Sequence, residues 1–154
     1  MQKHYLPGRI SCSQRPLPAA LLAEIVALPL FLHKISAGFP SPATDYAQET
    51  LDLNELLVKH KAASFYFIVE GRSMIGAQID DGDRVLVDRS IPVRSGHIVI
   101  AVVNSEYTIK RLYMRDDVIE LRPENPDFPI IRLKDGESLE IWGVVSAVIR
   151  KLKV

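Results

Sequence analysis

The 154-residue chain has little cysteine, no net charge and no long uninterrupted apolar run. Its single cysteine, Cys12, excludes an internal disulfide framework and any cysteine-rich zinc site, and it favours a reducing, cytoplasmic compartment. Lysine and arginine together number 19, and so do aspartate and glutamate, so the formal charge is zero. A neutral chain lacks the overall field that gathers nucleic acid, and we therefore expect no DNA-coating role and no direct sequence-specific DNA binding.

The one extended apolar stretch, residues 17–32, has features of a secretory signal or a membrane span. Glu24 interrupts it, and a charge in mid-membrane costs about 2.5–3.5 kcal/mol on insertion scales. Its 16 residues also contain Pro18 and Pro29, whereas a span needs roughly 20 apolar residues. We expect no membrane association, with a signal peptide as the less favoured alternative. The apolar spacing predicts one or two helical turns that pack on a domain or partner, formed by Leu21, Leu22, Ile25, Val26 and Leu28.

The neutral total hides two oppositely charged parts. Residues 1–37 contain four basic side chains and one acidic one, a net charge of +3. Residues 38–154 contain 15 basic and 18 acidic side chains, a net charge of −3. Between them, Gly38-Phe39-Pro40-Ser41-Pro42-Ala43 contains two prolines, which favour extended, exposed backbone. Such a segment suits either a plain linker or a protease substrate.

The remainder of the chain predicts one short helix and then strands. Leucines at helical spacing indicate a helix over Thr50–His60, with Thr50 or Asp52 as its N-cap. Asn104-Ser105 between two apolar segments predicts a tight hairpin. The fold class is therefore mainly β, with antiparallel, barrel-like or sandwich sheets. The seven predicted strands are Ser64–Glu70, Arg84–Asp88, His97–Val103, Glu106–Tyr113, Val118–Arg122, Ile130–Leu133 and Ile141–Lys151.

Metal and nucleotide chemistry find no support in the sequence. The four histidines have no metal-ligand spacing, and no glycine-rich phosphate-binding motif occurs. Asp80, Asp81 and Asp83 resemble the start of a calcium loop, but the glycine and the distal glutamate of that loop are missing. We interpret them as a solvated turn and predict no metal and no cofactor.

Ser73 and Lys110 are the two residues that suggest catalysis. Ser73 lies between Gly71 and Gly76, where a turn can expose its hydroxyl and offer backbone N–H groups to an oxyanion. A plain turn or N-cap serine is the alternative. Strand alternation places Lys110 on the same face as Thr108, and an edge-strand lysine is the alternative there. If Lys110 is buried, its pKa falls by up to about 3–5 units, and the neutral amine can take a serine proton.

Several short motifs follow one another from about Leu21 to the C-terminus. Gly38 precedes Ser73 by 35 residues, and Ser73 precedes Lys110 by 37. The other motifs are Glu24-Ile25-Val26, Pro29-Leu30-Phe31, Gly38–Ala43, Asp52-Leu53-Asn54, Ser73-Met74-Ile75, Asp80–Asp83 and Gly143-Val144-Val145. In this order and at these intervals they resemble the UmuD family of SOS mutagenesis proteins and, more broadly, the LexA-type self-cleaving repressors.

The resemblance implies a Ser-Lys dyad, with Ser73 as the nucleophile and Lys110 as the general base. It implies that this serine endopeptidase cuts its own Ala37–Gly38 bond when a RecA filament on single-stranded DNA stimulates it. The product, residues 38–154, would be a homodimeric subunit of a UmuC-like Y-family polymerase in error-prone translesion synthesis.

The same resemblance implies a domain organisation. Residues 1–37 would be an arm removed by self-cleavage, residues 38–60 a linker with a short helix, and residues 61–154 a LexA/UmuD-like peptidase domain of antiparallel, barrel-like sheets. The segment 27–31 is similar to a sliding-clamp-binding pentapeptide, which makes its large apolar residues candidate clamp contacts. These residues are Leu28, Leu30 and Phe31.

Two function classes compete with this interpretation. A non-catalytic interaction protein would bind a polymerase and a clamp, with Ser73 and Lys110 as relics. A signal-peptidase-like hydrolase would also use a Ser-Lys dyad on a β-rich fold, but it needs the membrane anchor that Glu24 and two prolines argue against.

Overall fold

The computed structural model describes residues 26–32, 34–35, 37–39, 48–116, 118–133 and 137–154. A two-stranded sheet comes first, followed by one short helix and a seven-stranded sheet. In chain order the elements are β1 (Ala27–Phe31), β2 (Gln48–Asp52), α1 (Leu53–Leu57), β3 (Ser64–Ile68), β4 (Arg84–Asp88), β5 (Ile98–Val103), β6 (Glu106–Arg115), β7 (Val118–Arg122), β8 (Ile131–Arg132) and β9 (Leu139–Ile149). Two single turns of 3-10 helix lie at Lys61–Ala63 and Ile75–Ala77.

The seven-stranded sheet contains all seven strands that the sequence predicts. Its order is β3-β4-β9-β5-β6-β7-β8, and every neighbouring pair is antiparallel. Strands β4 and β7 have the predicted bounds, and the others differ by one or two residues at an end. The sheet is open, with β3 and β8 at its edges, so the expected barrel-like form does not close.

The hairpin at Asn104-Ser105 is confirmed. Val103 pairs with Glu106, which leaves two residues to connect β5 to β6. Both have positive φ, 48° for Asn104 and 71° for Ser105. Positive φ at both central residues gives a type I′ turn, whose twist matches that of the flanking strands.

Two bulges in β9 bend the sheet. Trp142 is the extra residue between the pairs Ile100–Gly143 and Ala101–Ile141, and Ser146 is the extra residue opposite Leu86 and Val87. A bulge kinks its strand and increases the local twist. The bend brings Phe67 of β3 within 5.8 Å, centroid to centroid, of Tyr107 of β6, although three strands lie between β3 and β6 in the sheet order.

Apolar side chains cover both faces of the sheet. Val99 and Ile100 are consecutive on β5 and belong to different buried clusters, because alternate residues of a strand face opposite sides. Complete burial of one such side chain contributes about 1.5–3 kcal/mol. One cluster comprises Val69, Met74, Ile79, Val85, Val87 and Ile100, and the other comprises Val99, Ala101, Leu112, Leu121 and Val144.

The predicted helix over Thr50–His60 is too long. Helix α1 spans Leu53–Leu57, and the side chain of Asp52 caps it by accepting a hydrogen bond of 2.7 Å from the Asn54 N–H. Thr50 is not a cap, because it lies in β2 opposite Pro29 of β1. Backbone pairing with a distant segment overrides the local leucine spacing at this point.

The predicted helical turns of the arm are also wrong where the structure describes them. Leu28 lies in β1, which pairs with β2 and is exposed along its whole length. Leu21, Leu22 and Ile25 lie outside the described residues. In the described part of the chain, no helix is long and apolar enough to cross a membrane.

The sequence interpretation of Asp80–Asp83 as a solvated turn is wrong for Asp83. Asp83 is buried and accepts hydrogen bonds of 2.6 Å and 2.5 Å from the guanidinium of Arg150. Arg150 thereby fastens the residue after β9 to the turn before β4. This hydrogen-bonded pairing lowers the pKa of the Asp83 carboxyl.

We predict that Arg150→Gln lowers the urea midpoint of unfolding at pH 7. A carboxyl with a lowered folded pKa stabilises the protein above its unfolded pKa, and the stabilisation disappears as pH falls through the folded pKa. The difference from wild type should therefore narrow as pH falls below about 4. Arg132→Gln is the matched control, since Glu120 keeps its second partner, Arg122. A constant difference across pH would contradict the ion-pair explanation.

Candidate active site

Ser73 lies on a turn that β3 leads into and that the core anchors from below. Gly71 opens the turn with a φ of +86°, a conformation that residues with side chains rarely adopt. Met74, the next residue after Ser73, is 1% exposed and packs in the first core cluster. The turn therefore fixes the backbone of Ser73 while the side chain remains half-buried.

Lys110 lies on an inner strand of the sheet, which excludes the edge-strand alternative. Strand β6 lies between β5 and β7. Lys110 pairs with Val99 of β5, and the pairing with β7 begins at the next residue, Arg111. Lys110 is only 8% exposed. Lysine is rarely buried to this extent without a paired charge.

The Lys110 amine contacts three oxygen atoms. Its Nζ lies 2.9 Å from Ser73 Oγ, 3.1 Å from Thr108 Oγ1 and 2.9 Å from the backbone oxygen of Ile109. A charged ammonium donates all three hydrogen bonds. A neutral amine has two hydrogens and one lone pair, so one hydroxyl must then donate to nitrogen. The Ile109 carbonyl can only accept, which leaves a serine or threonine O–H to point at the amine.

Burial lowers the pKa of the Lys110 amine below its ordinary value. The cause is desolvation, which penalises the charged form. Among the described residues, no carboxylate pairs with Lys110. Desolvation thus makes this amine easier to deprotonate than an exposed lysine, and a neutral amine in contact with a serine hydroxyl is the state that a general base requires.

A groove of about 350 Å³ opens beside this pair. Ser73 and Lys110 are part of its lining, together with residues from β4, β5, β6 and from β3 and the two residues that follow it. The lining also includes Phe67, Ile68, Val69, Glu70, Val85, Ile100, Tyr107, Thr108 and Ile109. Because its lining contains two consecutive runs of the chain, 67–70 and 107–110, and is partly apolar, the groove suits a stretch of extended peptide.

Two backbone N–H groups beside Ser73 are candidates for stabilising an oxyanion. Within the described residues, neither the Ser73 N–H nor the Met74 N–H donates a hydrogen bond. The Met74 carbonyl, in contrast, accepts from Ala77 and Ile79. Unpaired donors on a fixed turn are suited to a negative charge that develops on a neighbouring oxygen.

The other sequence candidates lie away from this pair. Ala37 and Gly38 are exposed and lie between β1 and β2, and neither lines the groove. The candidate clamp contacts Leu28, Leu30 and Phe31 lie on exposed β1, with 61%, 37% and 52% exposure. The described residues contain no group of three or more side chains that could hold a metal ion.

The sequence interpretation missed the residues that hold the serine turn from outside. The backbone of Glu124 bonds to Ser73 and Gly76, and the side chain of Asn125 bonds to Arg72. No motif connects residues 124–125 to residue 73, so no sequence signal was available. Thr108 was placed on the Lys110 face by strand alternation, although its bond to the amine was not predicted.

A family model described as Peptidase S24-like matches residues 29–146. This range is more than half of the chain and includes the serine turn, β6 and the connection between β1 and β2. The chain belongs to the S24 peptidase family. Membership means a peptidase of the serine kind.

Individual relatives indicate which kind of S24 protein this chain resembles. It is 44% identical over 125 residues to Protein MucA of Salmonella typhimurium, covering 80% of this chain and 85% of that protein. It is 41% identical over 126 residues to Protein ImpA of Shigella flexneri, covering 81% and 85%. It is 38% identical over 138 residues to the LexA repressor of Paracidovorax citrulli, covering 90% and 60%. The S24 chain is therefore UmuD-like, with a role in the SOS response.

The buried amine gives a pH-dependent prediction for stability. A lysine whose folded pKa lies below its unfolded value binds fewer protons in the native state, so stability rises with pH between the two values. We expect the urea midpoint of Ser73→Ala to increase relative to the urea midpoint of Ser73→Ala/Lys110→Met as pH rises from 7 to 10. The Ser73→Ala background prevents self-digestion during the measurement. Parallel pH dependences for the two variants would contradict a desolvated Lys110.

Proposed function

We propose that this protein is a self-cleaving serine endopeptidase whose Ser73-Lys110 dyad cuts its own Ala37–Gly38 bond. The observation that carries the proposal is the 2.9 Å contact between Lys110 Nζ and Ser73 Oγ in a buried setting without a carboxylate partner. Family membership supports the class of chemistry. The assignment of Ala37–Gly38 as the bond that is cut comes from the sequence resemblance to the UmuD family.

The residues at the site suit a two-step acyl transfer. Ser73 Oγ attacks the Ala37 carbonyl carbon while its proton passes to Lys110 Nζ. The N–H groups of Ser73 and Met74 stabilise the oxyanion that forms. Lys110 then returns the proton to the Gly38 nitrogen, the peptide bond breaks, and Ala37 remains as an ester on Ser73. Water, deprotonated by the neutral amine, hydrolyses the ester and restores the serine.

Cleavage requires the arm to move. In the structure Ala37 and Gly38 are exposed and do not line the groove, so this conformation is not the reacting one. The ladder of β1 with β2 holds the two ends of the connection that contains the bond. We propose that a RecA filament on single-stranded DNA supplies no catalytic group and instead favours the conformer in which Ala37–Gly38 enters the groove.

The cut has consequences for partners. Residues 38–154 carry a net charge of −3 without the arm, and we assign this product to a homodimeric subunit of a UmuC-like Y-family polymerase in translesion synthesis. The exposed Leu28, Leu30 and Phe31 of β1 are the proposed sliding-clamp contacts. Because β1 belongs to the arm, only the uncut chain would carry these contacts covalently.

Self-cleavage is tested by incubating the purified full chain at alkaline pH and measuring the fragment masses. Raised pH deprotonates Lys110, so we expect slow cleavage without RecA, yielding residues 1–37 and 38–154, and faster cleavage at neutral pH when RecA–ssDNA is added. Ser73→Ala should be inert. Lys110→Ala should lose about 10²–10⁴-fold in rate, the usual contribution of a general base.

Lys110→Arg and Lys61→Ala are the matched controls. Arginine keeps the length and charge but stays protonated, so Lys110→Arg should be as inactive as Lys110→Ala. Lys61 is exposed and does not line the groove, so Lys61→Ala should cleave at the wild-type rate. A cut at another bond, or a cut that survives Ser73→Ala, would sink the assignment.

A further inference from the structure

A short segment after β7 lies directly against the serine turn. The Glu124 N–H donates to the Ser73 carbonyl over 2.9 Å, and the Gly76 N–H donates to the Glu124 carbonyl over 2.7 Å. A Cβ on Gly76 would lie 2.5 Å from the Glu124 oxygen, closer than such contacts occur. The turn and the segment therefore meet backbone to backbone, with no side chain between them.

Asn125 adds a third bond from the same segment. Its Nδ2 donates to the Arg72 carbonyl over 2.9 Å, and its Oδ1 accepts from the Asp127 N–H over 3.0 Å. The residue is 7% exposed. Because its own loop satisfies the oxygen, the amide is oriented with its nitrogen toward the turn. The backbone is thus held immediately before Ser73, at Ser73 and after it.

The other end of the segment is tied to β6. The Glu124 carboxylate pairs with Nε of Arg111, and Nη1 of Arg111 donates to the Gly96 carbonyl over 2.6 Å. Arg111 follows Lys110 directly, and strand alternation sends their side chains to opposite faces. A continuous series of contacts therefore connects the strand of the lysine to the turn of the serine without passing through the Lys110 amine.

We propose that Arg111, Glu124 and Asn125 form a brace that sets the position of Ser73 relative to Lys110. The three are positioning residues, and their role in catalysis rests on the proposed self-cleavage. Lysine has four rotatable side-chain bonds, so its own contact with Ser73 Oγ cannot fix the distance. The brace fixes the backbone of both partners instead. Misplacement of a reacting group by about 1 Å can cost 10²-fold in rate.

The limiting rate of self-cleavage of the full chain at alkaline pH tests the role of the brace. We expect Arg111→Gln and Glu124→Gln each to lower the limiting rate at high pH by about 10- to 100-fold. Arg111→Lys keeps a charge for Glu124, so it should recover part of the rate that Arg111→Gln loses. The double variant Arg111→Gln/Glu124→Gln should be no slower than the slower single variant, because both changes abolish the same ion pair.

Arg132→Gln is the control for loss of an ion pair elsewhere. Arg132 pairs with Glu120 and does not contact the serine turn. It should therefore cleave at the wild-type limiting rate even if its melting temperature falls as far as that of Glu124→Gln. Wild-type limiting rates for Arg111→Gln and Glu124→Gln, or rate losses that simply follow melting temperature across all variants, would overturn the brace.

Hydrogen exchange tests the brace independently of cleavage. In the Ser73→Ala background, the amides of Gly76 and residue 124 report the two backbone bonds directly. Arg111→Gln and Glu124→Gln should speed their exchange by about tenfold or more, whereas Arg132→Gln should not. Unchanged exchange would overturn the brace. If the wild-type chain fails to cut Ala37–Gly38 while these amides behave as expected, the proposed function fails and the brace stands as a structural feature.

Discussion

The buried contact between the Lys110 amine and the Ser73 hydroxyl is the interaction that the proposed chemistry requires and that the fold supplies. The contact requires a lysine that is desolvated without pairing with a carboxylate. The burial of Lys110 on the inner strand β6 provides this. Lys110 is buried in a sheet that is covered on both faces and in which the bulges at Trp142 and Ser146 bend β3 toward β6. Desolvation lowers the pKa of Lys110, so the same folding that covers the core makes the proposed base easier to deprotonate.

The serine side of the contact is built differently from the lysine side. Strand pairing holds Lys110, whereas Ser73 lies on a turn that needs support from Met74 below and from residues 124–125 at its flank. The contact between Ser73 and Lys110 is already formed in the intact chain, while the bond proposed for cleavage, Ala37–Gly38, lies outside the groove. In this account the step that limits self-cleavage is therefore entry of the arm into the groove. The proposed catalytic groups need no rearrangement. A partner can then regulate it through conformation alone.

Local patterns predicted much of the fold. Segments rich in valine, isoleucine, tyrosine and phenylalanine, separated by turn clusters, predict the seven strands of the main sheet. Asn104-Ser105 between two apolar segments predicts its hairpin, in which both residues adopt positive φ. Pairing of β1 with β2 was missed, since it joins residues far apart whose leucines also suit a helix. The sequence pattern indicates a solvated Asp83, because its partner, Arg150, is 67 positions away. At the site, the order of motifs pointed to Ser73 and Lys110, but nothing local points to Glu124 or Asn125. Long-range backbone bonds leave no periodic signal.

The central claim is that deprotonation of a desolvated Lys110 switches on the serine. The most direct test follows the ¹³Cε resonance of Lys110 through a pH titration of the Ser73→Ala full chain, beside the pH dependence of self-cleavage by the wild-type chain. The account predicts a Lys110 pKa below the ordinary lysine value of about 10.4 and a cleavage-rate midpoint at the same pH. Two results would contradict the account. One is a Lys110 that titrates as an ordinary exposed lysine. The other is a cleavage rate that keeps rising at pH values well above the pKa measured for Lys110.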